Sequence, residues 1–186
     1  MDKGGQAALN YRVCEERTIG QFAAAIVACR AINFQPCAEP VEAGEWHEAI
    51  GRSRGGRTCK IHCLADDRGR PVAFALTPGN IADISMAIPL LGVAAPARRL
   101  IADKAYDADS LRRWLAKRRI KAVIPSTASR RTPYPLNRRI YRRRNVIERL
   151  FCRLRNWRRI ATRYDRHANN YLAAIALVAA VTEWIK

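Results

Sequence analysis

The order of elements legible in the chain predicts an α/β protein, a mixed sheet flanked by helices. Three observations carry that prediction. Short apolar runs bounded by turn residues alternate with stretches of helical period, in the order strand, strand, helix, strand, helix, strand, helix, helix. The 186 residues suffice for one domain, and 49% apolar content supplies a packed core and excludes wholesale disorder. No internal repeat is visible.

Residues 1–50 are the least regular part. The Ala-rich stretch from Phe22 to Ala31 is followed by Gln35-Pro36-Cys37-Ala38-Glu39-Pro40, with neither a clean strand period nor a capped helix. This segment is expected to be poorly ordered or out of frame. The composition changes at Gly51, where Gly51-Arg52-Ser53-Arg54-Gly55-Gly56-Arg57 reads as a flexible basic loop, and the folded domain is placed at 51–186. Thr58 to Ala65 and Val72 to Thr77 suit two strands, and Asp66-Asp67-Arg68-Gly69-Arg70-Pro71 between them is turn chemistry, so a hairpin is expected. Thr77-Pro78-Gly79-Asn80 ends the second strand, and Asp83 is placed to cap a helix through Ser85 to Leu91. Arg98 to Ala102 reads as a buried strand ending at Asp103. Asp107 or Asp109 then caps a helix over Ser110 to Arg119, and Lys121 to Pro125 is a further strand. After a Ser/Thr/Arg/Pro loop, one long helix is expected over roughly Asn137 to Ala161 and a final apolar helix over Asn169 to Ile185.

Charge narrows the partners. Lys and Arg number 34 against 16 Asp and Glu, a formal +18, which is typical of a protein that meets a polyanion. The charge is also unevenly placed. Residues 1–50 hold four basic and seven acidic side chains, whereas the remainder holds 30 basic and nine acidic ones. From Ala128 to Arg163 there are thirteen arginines and one acid, Glu148, a density suited to binding phosphate by counterion release. A solvated arginine-rich helix face is the plainer alternative.

A membrane role is excluded on length, since no segment reaches the ~18 uninterrupted apolar residues of a span. The runs Phe22 to Cys29 and Leu172 to Val181 both read as core helices. Glu15 and Glu16 stand where a secretory signal would be basic, so a cytoplasmic, reducing location is expected. The six cysteines, Cys14, Cys29, Cys37, Cys59, Cys63 and Cys152, are then free thiols. A zinc site on Cys59, His62 and Cys63 is disfavoured, because strand alternation turns His62 away from the two thiols.

Two acids stand out. On a helical projection of the long helix from Ile147, the residues Ile140, Val146, Leu150, Phe151, Leu154 and Trp157 fall on the buried arc. Tyr141, Arg144, Glu148 and Arg155 share a narrow stripe beside it, at about 60° to 120°. Glu148 is thus either an ordinary i, i+4 partner of Arg144 or a functional acid at the edge of the interior. Asp103 stands where a short apolar strand gives way to a loop, an edge at which sheets place ligands, although a turn or cap suits it equally. Two carboxylates on separate elements of a basic chain suggest a divalent-metal site acting on a phosphodiester.

These residues carry a resemblance. Tyr141-x2-Arg144-x3-Glu148, followed by Arg155 where the fuller pattern has Lys, resembles the Tyr-Arg-Glu signature of the DDE transposases of bacterial insertion sequences. Asp103-Lys104-Ala105-Tyr106-Asp107 is similar to the segment carrying that family's second catalytic Asp. Gly51-Arg52-Ser53-Arg54-Gly55-Gly56 with Thr58-x-Lys60-Ile61-His62, and Thr77-Pro78-Gly79-Asn80-x-x-Asp83, resemble its stretches around the early hairpin. The resemblance spans about Glu48 to Trp184 and implies an RNase H-like fold in which two Asp and one Glu hold two divalent ions, Mg²⁺ or Mn²⁺. It implies that Asp103 and Glu148 are catalytic metal ligands and that Tyr141, Arg144, Arg155, Arg52, Arg54 and Lys60 contact DNA. It further implies cutting of terminal inverted repeats, joining to target DNA, and homo-oligomers in intact relatives.

The family's first Asp lies on a strand ahead of the Gly-Arg-Ser-Arg-Gly-Gly segment. Residues 1–50 offer only Asp2 at that charge and chemistry, and Glu39, Glu42, Glu45 and Glu48 lie in a Pro/Gly/Ala context unsuited to a central strand. The expectation is a truncated or frame-shifted copy lacking the first strand, one acid and the amino-terminal domain that reads the inverted repeats. The competing reading is a non-catalytic basic DNA-binding module or transposase inhibitor. An RNA-binding protein is less favoured, because Trp114, Phe151 and Trp157 fall on core arcs instead of forming exposed platforms.

Overall fold

A computed structural model describes residues 22–31, 48–53, 56–94 and 97–184. The hairpin forms where turn chemistry places it, between β3 (Gly56–Ala65) and β4 (Pro71–Pro78). Asp66 folds its carboxylate back onto the N–H groups of Arg68 and Arg70 at 2.9 and 2.8 Å. Gly69 follows at φ 82°, a conformation that side chains resist, and a β-carbon there would stand 3.2 Å from the Val146 side chain. The basic segment before β3 is not a plain loop. Gly51–Ser53 forms β2, antiparallel to the start of β3, with Arg52 opposite Arg57.

The expectation that the sheet lacks its first strand is not met. Phe22–Ala31 forms β1, antiparallel to β3 and parallel to β5 (Ala97–Ala102). The run Phe22 to Cys29 is therefore strand, not core helix. The segment is a nearly continuous apolar run without alternation, and over so short a length period alone cannot separate a strand from a helix. With β6 (Lys121–Val123) parallel to β5, the principal order is β4-β3-β1-β5-β6.

Alternation along the strands builds a core on each face. Leu64, Ala73, Ala75, Leu100 and Ala102 pack beneath α1 (Ala87–Val93) and α2 (Asp109–Lys117). Ile61, Cys63, Ala65 and Ile101 pack on the other face, beneath α4 (Asn145–Arg155), α5 (Arg158–Ala161) and α6 (Ala168–Ala179). His62 is sealed on the opposite side of β3 from Cys63, at 2.8 Å from the Thr77 hydroxyl.

The long helix expected over residues 137–161 is broken. Asn137 caps α3 (Arg138–Tyr141) by accepting from the Ile140 N–H at 3.1 Å. A tight 3-10 turn, Arg142–Arg144, leads into α4 with helical dihedrals maintained at its flanks, so the side-chain stripe survives. After Arg155 the chain turns. Trp157 adopts an extended conformation, φ −89° and ψ 112°, which lets Ile160 bury while Tyr171 donates to its carbonyl at 2.8 Å. Trp157 is 45% exposed and does not belong to the buried arc on which the helical projection placed it.

The acidic caps also differ from expectation. A 3-10 turn, Asp83–Met86, precedes α1, but Asp83 caps nothing and pairs with Lys60. Neither Asp107 nor Asp109 caps α2, whose first turn is entered through Ala108. The final helix ends in a π-helical turn, Ala180–Trp184. No helix among the described residues is long and apolar enough to cross a membrane.

Candidate functional site

The site assembles where β5 ends. Burial of Leu100, Ile101 and Ala102 fixes the strand, and the next residue, Asp103, emerges at its carboxyl end as the entry to a 3-10 turn, Lys104–Tyr106. Tyr106 anchors that turn with a fully buried ring. From the other side, α4 is held to the sheet by Ile147, Leu150, Phe151 and Leu154, which orients the residues preceding and flanking them.

Tyr141, Arg144 and Glu148 are thereby brought to Asp103. The Tyr141 hydroxyl donates to Asp103 Oδ1 at 3.2 Å. Arg144 donates from Nη1 to Asp103 Oδ2 at 2.9 Å and from Nη2 to Glu148 Oε1 at 2.5 Å. One guanidinium thus bridges two carboxylates that come from different elements. It also lies 5.5 Å from the Tyr141 ring centroid, within cation–π reach. Burial raises the Tyr141 pKa above the usual phenol value, Arg144 opposing and Asp103 reinforcing it, so the hydroxyl remains a donor at neutral pH.

The acids stay accessible, with side-chain exposures of 35% for Asp103 and 49% for Glu148. In donor chemistry the pair fits one shared hard cation, since Mg²⁺ takes one or two carboxylates together with water and phosphate oxygens. It does not fit the three-acid site implied by the resemblance. On β1, Ile26 pairs with Ala102, so Val27 stands beside the register position of Asp103, and no residue of β1 is acidic. Among the described residues no group of three His, Cys, Asp or Glu is gathered to hold a metal.

The remaining sequence candidates separate. Arg155 lies exposed two turns beyond Glu148, and Arg52 is exposed on β2. Arg54, Asp2, Glu39, Glu42 and Glu45 lie outside the described residues. Lys60 does not face solvent as a phosphate contact would. Its side chain is 14% exposed, and its ammonium donates to Asp83 at 2.7 Å and to the Ile81 carbonyl at 2.6 Å, because Lys60 and Asp83 close the end of the hairpin against the following turn. Glu48 is occupied by Arg166 at 2.8 Å, and its backbone carbonyl accepts from buried Arg163, so it is no third ligand.

Two features were missed by sequence reasoning. The Gly51 and Thr77-Pro78-Gly79-Asn80 motifs form one packed seam: a β-carbon on Gly79 would stand 1.9 Å from the Thr58 hydroxyl, and one on Gly51 would stand 2.3 Å from the Asn80 side chain. The second is Asp107, whose side chain is fully buried. It accepts from Arg112 Nε at 2.8 Å, Arg130 Nε at 3.0 Å and the Thr127 N–H at 2.8 Å. Burial pushes its pKa up, but these donors outweigh burial and hold it at about 2. Arg112 also stacks 4.0 Å from the Tyr134 ring centroid, so Asp107 organises the arginine loop leading to α3. Its position at the end of Asp-Lys-Ala-Tyr-Asp was the available signal.

Comparison with known proteins identifies the family. The transposase DDE domain family matches residues 14–182. A transposase for insertion sequence element IS6501 of Brucella ovis is 32% identical over 130 residues, 69% of this chain and 99% of that protein. One for element IS402 of Burkholderia cepacia is 33% identical over 144 residues, which are 72% of this chain and 65% of that protein. The convergence of Asp103 with the Tyr-Arg-Glu helix and the match across nearly the whole chain place the protein in the DDE transposase family of bacterial insertion sequences.

Proposed function

We propose that this chain is a DNA-binding, catalytically disabled form of an insertion-sequence transposase domain with an RNase H-like sheet. The observation that supports this most directly is the bridge from Asp103 through Arg144 to Glu148 beside a β1 strand that carries no acid. The strand order β4-β3-β1-β5-β6, parallel from β1 onward, supports the fold assignment. Asp103 and Glu148 are the retained members of the metal-binding set, and β1 supplies no third acid. Tyr141, Arg144, Arg155, Arg52 and Arg54 contact the phosphates of terminal inverted repeats and target DNA, which would place the protein on the nucleoid. No cleavage step is assigned to the chain.

The decisive experiment incubates the purified chain with inverted-repeat DNA and Mg²⁺ or Mn²⁺. The expected result is salt-sensitive binding without nicking or strand transfer. Nicking that is lost in Asp103→Ala would overturn the assignment of inactivity. A second reading, interference with full-length transposase through mixed oligomers, is favoured by the intact fold around β1. Co-expression that leaves transposition frequency unchanged rejects it.

A further inference from the structure

The turn after α4 exposes an aromatic ring amid arginines. Trp157 forms a wall of an open groove of about 490 Å³ between α5 and α6, and Ile160, Leu177 and Val178 supply its apolar floor. Leu177 is 67% exposed, so the apolar surface is open to an occupant. Arg158 and Asn170 add polar groups to its lining. The neighbouring Arg159 is held by Asp165 at 2.7 and 3.1 Å, whereas Arg158 has no ion pair among the described residues.

We infer that this groove seats an unpaired nucleotide of a DNA strand. The base stacks on the Trp157 indole over the floor of Ile160 and Leu177, Arg158 takes the adjoining phosphate, and the Asn170 amide meets the base edge. An indole face beside a guanidinium suits any base, because each base has a π-face. A duplex hides those faces in its own stack, so the occupant is a frayed or single strand. Charge complementarity favours nucleic acid over a second copy, since the chain carries +18 and Arg158 in the groove's lining has no ion pair among the described residues.

The inference rests on the DNA-binding reading, and the test separates the two. Binding of the full chain is measured on a blunt duplex and on the same duplex with an overhang of about six unpaired thymidines. The overhang is expected to tighten binding about tenfold, and Trp157→Ala to abolish that gain while moving the blunt-duplex Kd less than about twofold. Trp157→Phe retains most of the gain, and Arg158→Ala loses part of it. Melting curves of the variants should match the parent, because the ring is half exposed. Equal Kd values on the two duplexes, or a gain that survives Trp157→Ala, overturns the groove assignment alone. Variants that alter sedimentation instead of overhang binding also overturn it and assign the groove to a second copy. Failure to bind either duplex overturns the DNA-binding reading with it.

Discussion

Asp103 and Asp107 stand four residues apart, and arginines grip both, yet they do different work. Asp107 is sealed, with its side chain fully buried and its oxygens shared among Arg112, Arg130 and the Thr127 N–H. Asp103 is 35% exposed and shares Arg144 with a second accessible acid. The same carboxylate–guanidinium chemistry is structural where water is excluded and exchangeable where it is not, because a phosphate or cation can replace only a partner that it can reach.

The largest expected effect breaks the sealed member. Asp107→Asn removes the charge from beneath two arginines and should cost roughly 3 kcal/mol in urea unfolding, whereas Asp103→Asn should cost under about 1 kcal/mol. Equal costs would erase the distinction.

An acid titration sharpens it further. Burial lowers the pKa of His62 from 6.5 to about 4, Asp83 opposing and Lys60 assisting. The unfolded chain therefore takes the proton first, and stability should fall by about 3 kcal/mol as pH drops from 6.5 to 4. His62→Asn should flatten that limb. Asp107 has its folded pKa depressed to about 2 from 3.8, so its contribution is complete above that window and is lost as pH falls through it.

Gly79→Ala supplies a control that disturbs the fold without touching either carboxylate. The added methyl meets the Thr58 side chain and should cost about 1–3 kcal/mol, with DNA affinity per folded molecule unchanged. The smallest stability effect belongs to Arg144→Ala or Arg155→Ala. Each should alter stability by less than about 1 kcal/mol but flatten the slope of log binding constant against log salt by about 0.9, one phosphate contact each. An unchanged slope rejects that role.

Much of this was legible in the chain. The hairpin followed from Asp66 and Gly69, whose chemistry is local, and β5 followed from its apolar run. The stripe of Tyr141, Arg144 and Glu148 survived the break in the long helix because Arg142–Arg144 tightens the coil without leaving helical dihedrals. What escaped depends on distant partners. Trp157 was assigned to the core because the projection continued past Arg155, where tertiary packing of Ile160 turns the chain. Asp83 and Asp107 looked like caps because their arginine and lysine partners lie about twenty residues away along much of the network. β1 escaped because its nearly continuous apolar run carries no alternating signature.

That last strand has an evolutionary consequence. Its ladders to β3 and β5 are made by peptide groups, which every non-proline residue carries, so the middle of the sheet can form with or without an acid on that strand. Selection for the scaffold and selection for the reaction are then uncoupled. The sheet therefore tolerates substitution along β1 that a metal site on the same strand would not.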